Sequence, residues 1–151
     1  MSLSKKIKGR IARVYHATNA AVFARKSYFQ FGDSADKSGM TEIPFYPPNV
    51  LEGDPRMRSK AISSSGDGGF VTGMWDCTAG RFMWHFNCDE VVHIIDGEVT
   101  VKVNDQVQRL VKGSVAYFPI GTVSEWHVPN YVLKIFSHHN PTPTLQKIFG
   151  G

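Results

Sequence analysis

With 151 residues, 42% of them hydrophobic and 12% aromatic, the chain has the size of one ordinary globular domain and can bury a core of its own. Its apolar runs fall far short of the roughly 18 residues of a membrane-spanning helix, and the start MSLSKKIKGR lacks the apolar stretch of a signal peptide. Membrane and secreted classes are therefore set aside, and a cytoplasmic location is expected.

The net charge of +4 is unevenly placed. Lys5, Lys6, Lys8, Arg10, Arg13, Arg25 and Lys26 give the first 26 positions seven basic residues and no acidic one; the remainder carries ten basic against thirteen acidic residues. A basic tail on a mildly acidic body reads as a solvated arm, not as a nucleic-acid face, which displays its cations together on a folded surface. Within the arm, Ile7, Ile11 and Val14 stand at i, i+4 and i+7, the spacing of a short amphipathic helix. Ala20 to Phe31 is ambiguous: its alanines favour helix, while Tyr28, Phe29 and Phe31 favour an extended segment laid against a sheet. Gly32 to Gly39 reads as a loop. Thr41 to Tyr46 reads as an edge strand, kept from the centre of a sheet by Pro44, Pro47 and Pro48. Residues 1–55 are thus expected to be an N-terminal extension that wraps the body or crosses to a second subunit, and residues 56–151 the domain proper.

From Arg58 onward strand follows strand. Arg58 to Ser63 leads into a Ser/Gly-rich connection, Ser64 to Gly69, which lacks the lysine and helix opening of a phosphate loop. Phe70 to Trp75, Arg81 to Phe86, Val91 to Ile95, Val99 to Val103, Val107 to Leu110, Val115 to Phe118, Val123 to Val128 and Tyr131 to Ser137 alternate or are β-branched-rich. Asp96-Gly97, Asn104-Asp105, Lys112-Gly113, Pro119-Ile-Gly121 and Pro129-Asn130 punctuate them as turns. Eight short, evenly spaced strands predict a closed or two-sheet antiparallel architecture, which leaves few exposed edges. Cys77 and Cys88 are the only cysteines and read as reduced structural thiols.

Glu90, six further residues and Gly97, then Gly113, five residues and Pro119-Ile-Gly121, together with Gly80-Arg-Phe-Met-Trp84, resemble the two motifs of the cupin superfamily. The likeness runs from about Val71 to Phe136. It is similar to small single-domain cupins of the ethanolamine-utilisation and ureidoglycine aminohydrolase type. The resemblance implies an all-β fold, a double-stranded β-helix or jelly-roll barrel, here with an N-terminal extension. Metal-binding cupins place two histidines before the glutamate and a third in the second motif; the matching positions hold Trp84, Phe86 and Ser124. No tightly bound metal and no cofactor are therefore expected.

Alternation puts Glu90 on the face of Val92 and Ile94, near Trp84 and Phe86. A carboxylate there should have a raised pKa unless a cation or hydrogen-bond donors compensate, and it is the candidate acid or base. The competing reading is a structural glutamate paired with Lys134. Trp84, Phe86, Ser124, Trp126 and Lys134 are the candidate ligand-binding residues, with the two indoles either stacking a planar ligand or packing the core. His85, His93 and His127 fall on the opposite faces, and His138-His139 is expected in solvent. The favoured reading is a metal-free binder of a small organic molecule, with Glu90 as acid or base if it is an enzyme. The alternatives are a metal-dependent hydrolase resembling ureidoglycine aminohydrolase and a non-catalytic sensing or assembly protein. A homodimer is expected, because the outer faces and the aromatic residues of the extension need cover.

Overall fold

The computed structural model describes residues 28–44 and 49–140. The helix expected around Ile7 and Ile11, the basic arm, and Phe45 and Tyr46 lie outside these. Eight strands make up the described chain: β1 Thr41–Ile43, β2 Val50–Gly53, β3 Met57–Ser64, β4 Phe70–His85, β5 Asp89–Val103, β6 Gln106–Val111, β7 Val115–Phe118 and β8 Val123–His139. All their pairings are antiparallel. This is the expected all-β jelly-roll barrel.

Three strands are much longer than the sequence suggests, and each belongs to two layers. The first half of β4 pairs with β3 and with the second half of β8, which pairs in turn with the start of β5, and that with β7. The second half of β4 pairs with β2 and with the first half of β8, which continues to the end of β5 and then β6. Register shifts mark the crossings, between Thr78 and Gly80 in β4 and at Ile94/Asp96 and Gly97/Thr100 in β5. A bulge bends a strand and adds twist, so it lets one strand leave one layer for the other.

These crossings correct the expected turns. Asp96-Gly97 is not a hairpin, and Pro129-Asn130 lies within β8. Ile95 is the inserted residue, since Ile94 faces Lys134 and Asp96 faces Leu133. It flips the inward parity of β5 from Glu90, Val92 and Ile94 to Val99 and Val101, all buried. Two alternations out of phase look like two strands with a turn between; a bulge has the same signature. The turns expected at Asn104-Asp105, Lys112-Gly113 and Pro119 to Gly121 do connect strands, and Asn104, Gly113 and Gly121 there have positive φ. β2 was not anticipated.

The core lies between the two layers. Trp75, Cys77, Val92, Ile94, Val132 and Phe136 from one meet Phe82, Val99, Val101, Trp126 and Val128 from the other. Trp75 stands edge-on to Trp126 at 5.9 Å between centroids, an arrangement favoured by the ring quadrupoles. Outside the core, Gln30 pairs both ends of its amide with the Ser64 backbone, while Tyr28, Phe29 and Phe31 are exposed. On the outer face, Asp76 is buried and holds the Arg58 guanidinium, with Nε donating to Oδ1 at 3.1 Å, and the Tyr131 hydroxyl at 3.0 Å. Lys37 donates to that same hydroxyl, tying the segment before β1 to the barrel.

The crossing in β5 depends on Gly97, whose φ is +68° and whose added Cβ would lie 2.0 Å from the Tyr131 carbonyl oxygen. A methyl group there meets backbone, which cannot rotate away. Gly97→Ala is expected to lower stability by about 3 kcal/mol or more, measured by denaturant unfolding. A loss below 1 kcal/mol would show that the crossing is not rigid.

Candidate functional site

The site grows from the parity of two neighbouring strands. On β5 the inward residues before the bulge are Glu90, Val92 and Ile94; on β8 they include Lys134, Phe136 and His138. Glu90 is the register partner of His138 and Ile94 that of Lys134, so the carboxylate lies between two cationic or potentially cationic side chains of one strand. Lys134 Nζ donates to Glu90 Oε1 at 2.6 Å, and His138 Nε2 stands 3.0 Å from Oε2. Lys134 and Glu90 are almost fully buried, whereas the His138 side chain keeps 30% of its surface exposed.

Burying an ammonium is costly unless other groups replace its water. Here the carboxylate does so together with two aromatic faces: Nζ lies 4.8 Å from the ring centroid of Trp75 and 4.8 Å from that of Trp126. The Trp126 indole donates to Ser124 Oγ at 2.9 Å, and Ser124 donates to the Trp84 carbonyl at 3.2 Å. Trp75 donates to the Met57 sulfur. Ser124 and Trp126 are thereby committed to holding the floor of the site.

Burial acts to raise the Glu90 pKa, as the sequence suggests, but Lys134 and His138 together overcome it and hold the carboxyl below its ordinary value of 4.5. Glu90 is therefore an anion at neutral pH with a donor on each oxygen. Cys77 and Cys88 are buried. Burial, with a smaller effect from Asp76, pushes the Cys77 thiol up to about 12, and burial likewise raises Cys88, which suits them to packing and not to nucleophilic chemistry.

A cavity of about 260 Å³ opens beside the carboxylate, walled by Trp84 and Phe86 with Asn49, Asn87, Glu90 and His138 among its lining. Of the sequence-derived candidates, Trp84, Phe86 and Glu90 line this cavity, and Lys134, Trp126 and Ser124 lie behind it. Phe86 stacks on Phe118 at 4.4 Å with the rings 5° from parallel. Phe118 in turn borders another concavity, of about 430 Å³, lined also by Val101, Leu110 and Ala116 between β6 and β7.

His138 is the residue that sequence reasoning missed. The sequence pattern ends the last strand at Ser137 and so places His138 in solvent, whereas β8 runs on to His139. The signal was present as Lys134, Phe136 and His138 at i, i+2 and i+4, and the Phe136 ring stacks on the imidazole at 4.3 Å. His85, His93 and His127 are all exposed, but His85, expected to face away from Glu90, lines the cavity beside it.

The metal site of the resembling cupins does not fit these residues. Trp84, Phe86 and Ser124 stand at the ligand positions, and among the described residues no three His, Cys, Asp or Glu side chains converge as a ligand group. The place beside Glu90 Oε1 that a cation would take belongs to the Lys134 ammonium.

Comparisons with known proteins agree on the fold. Residues 64–136 match the model of the EutQ-like cupin domain, a match that ends before His138. No curated protein matches the chain. Among solved structures, the EutQ protein of Clostridium difficile is 19% identical with a TM-score of 0.53, over 65% of this chain and 81% of that one. An ethanolamine utilization protein Q from Salmonella typhimurium LT2 is 19% identical with a TM-score of 0.50, over 55% and 68%. A protein of unknown function of the DUF861 family from Pseudomonas syringae is 20% identical with a TM-score of 0.63; the alignment takes in 70% of this chain and 46% of that longer protein. At these identities the likeness carries the fold alone. Among the described residues no helix is long and apolar enough to cross a membrane.

The pKa direction fixes a pH signature. A carboxylate whose folded pKa is depressed contributes stability that is complete above its unfolded value and is lost as pH falls through the folded one. Glu90→Gln leaves the Lys134 ammonium buried beside a neutral amide, and is expected to cost about 3–5 kcal/mol at pH 7. The gap to wild type should narrow below about pH 4.5, where wild-type Glu90 also takes up a proton. Urea unfolding between pH 3 and 7 measures it; a gap that does not change with pH would deny Glu90 its anionic state.

Proposed function

Starting from a small cupin whose residues 64–136 form a EutQ-like cupin domain, we propose that the protein binds a small organic molecule in the cavity between Trp84, Phe86 and the Glu90–His138 pair, without a tightly bound metal. The observation that carries this reading is the arrangement of Glu90: buried, fixed by Lys134, and held against the partly exposed imidazole of His138 beside a cavity with aromatic walls. Such a combination of apolar walls and a few converging polar groups is what small-molecule sites share.

Any proton transfer in this site belongs to His138, with Glu90 as its positioning residue. Glu90 is a weak base when both oxygens already accept strong donors, whereas imidazole is the side chain that exchanges protons near neutral pH. A carboxylate behind an imidazole fixes its tautomer and orientation.

Two measurements test the reading. Trp84→Ala and His138→Gln should each weaken binding of a small planar probe by tenfold or more in heteronuclear NMR titration, with the fold retained. Elemental analysis of untagged protein prepared without chelator should find no stoichiometric transition metal. Near-stoichiometric zinc, manganese, iron or nickel that is lost in Glu90→Ala would instead select the metal-dependent hydrolase.

The protein is also proposed to pair with a second copy of itself. Val91 and Tyr117 are register partners, as are His93 and Val115, and together they expose an apolar strip on the outer face of β5 and β7. Sedimentation at micromolar concentration should give a dimer; a monomer would exclude it.

A further inference from the structure

The groups that line the Glu90 cavity restrict the charge of what enters it. Asn49 and Asn87 offer amides, His85 and His138 offer imidazoles, and Glu90 is the one acid. That acid is already engaged from behind, with Lys134 Nζ 2.6 Å from Oε1 and His138 Nε2 3.0 Å from Oε2. A ligand cation would find no carboxylate oxygen without a donor, and the Lys134 ammonium behind Glu90 would repel it. A ligand anion would meet the His138 ring in the cavity lining, and Nδ1 is a second donor once the ring is protonated. The row Lys134, Glu90, His138, ligand would then alternate in sign, each charge next to its opposite.

Resting on the reading just given, we propose that the ligand is a small organic acid with a planar or apolar body, its carboxylate paired with protonated His138 and its body held between Trp84 and Phe86. Phe136, stacked on the imidazole at 4.3 Å, steadies the ring. The titratable groups around His138 are Glu90 on β5, Lys134 on its own strand, and His85 at the end of β4 on the cavity wall. Farther off, Asp89 stands 3.6 Å from His139, and Asp67 also acts on His139. The acid of this group nearest His138 is Glu90, 3.0 Å from Nε2, so the carboxylate ligand and Glu90 would share one imidazolium between them.

Three probes of nearly equal size separate the possibilities: benzoate, benzamide and benzylamine, titrated calorimetrically into the full-length protein at about pH 5.5 and pH 8. Benzoate is anionic at both. The expected result is benzoate binding about tenfold or more tighter at the lower pH, because imidazole ordinarily changes charge between the two. It should also show a buffer-dependent heat that reports proton uptake near neutrality. His138→Gln should remove the pH dependence while leaving the melting curve close to wild type. Benzamide or benzylamine binding as tightly as benzoate, or benzoate binding that ignores pH, would overturn the inference and leave the site itself standing. No binding by any of the three would overturn the site as well.

Discussion

A lysine ammonium buried between two indoles and closed by a carboxylate is the constraint around which this barrel is built. Lys134 sits in the core of an antiparallel strand, where desolvation would cost several kcal/mol without Glu90 and the faces of Trp75 and Trp126. Those three residues come from β5, β4 and β8, so the strands can be laid together with the ion pair closed in only one register. A slip of one residue would turn Glu90 or Lys134 to the outside and leave its partner buried and alone. The requirement is one of specificity, since a well-packed apolar pair could stabilise the same space as well.

The strand crossings supply the geometry that the ion pair needs. Because β4, β5 and β8 each pass from one layer to the other, their first and second halves can contribute side chains to both walls of the core. Trp75 and Phe82 are on the two halves of β4, yet their rings are 6.5 Å apart. Ile95 and the left-handed Gly97 place the break in β5 directly after Ile94, so that the even-numbered face carrying Glu90 ends where the odd-numbered face of Val99 and Val101 begins.

Much of this was legible in the sequence, for a physical reason: alternation is local and survives in every strand. The inward faces of Trp84 and Phe86, of Glu90 and Val92, and of Ser124 and Trp126 follow from a period of two. The exposure of His93 and His127 follows likewise. The joins did not show. A bulge and a turn use the same glycine and the same break in phase, so Asp96-Gly97 and Pro129-Asn130 read as turns, and only pairing to distant strands distinguishes them. The end of β8 was hidden for a related reason: two consecutive histidines look polar and solvated, and nothing local says that a carboxylate 48 positions earlier will lie opposite. The pairing of Glu90 with Lys134 was within reach, because a lone lysine on a buried face needs a counter-ion; the second partner was not.

The three tryptophans of this chain, Trp75, Trp84 and Trp126, form one cluster, with Trp75 6.1 Å from Trp84 and 5.9 Å from Trp126 between centroids. None is elsewhere to contribute a background. An ammonium held against two of the indoles and a cavity wall made of the third mean that the protein's whole indole emission comes from the immediate surroundings of Glu90. The barrel thus carries its own optical gauge of whether the charge at its centre, or the space beside it, has changed.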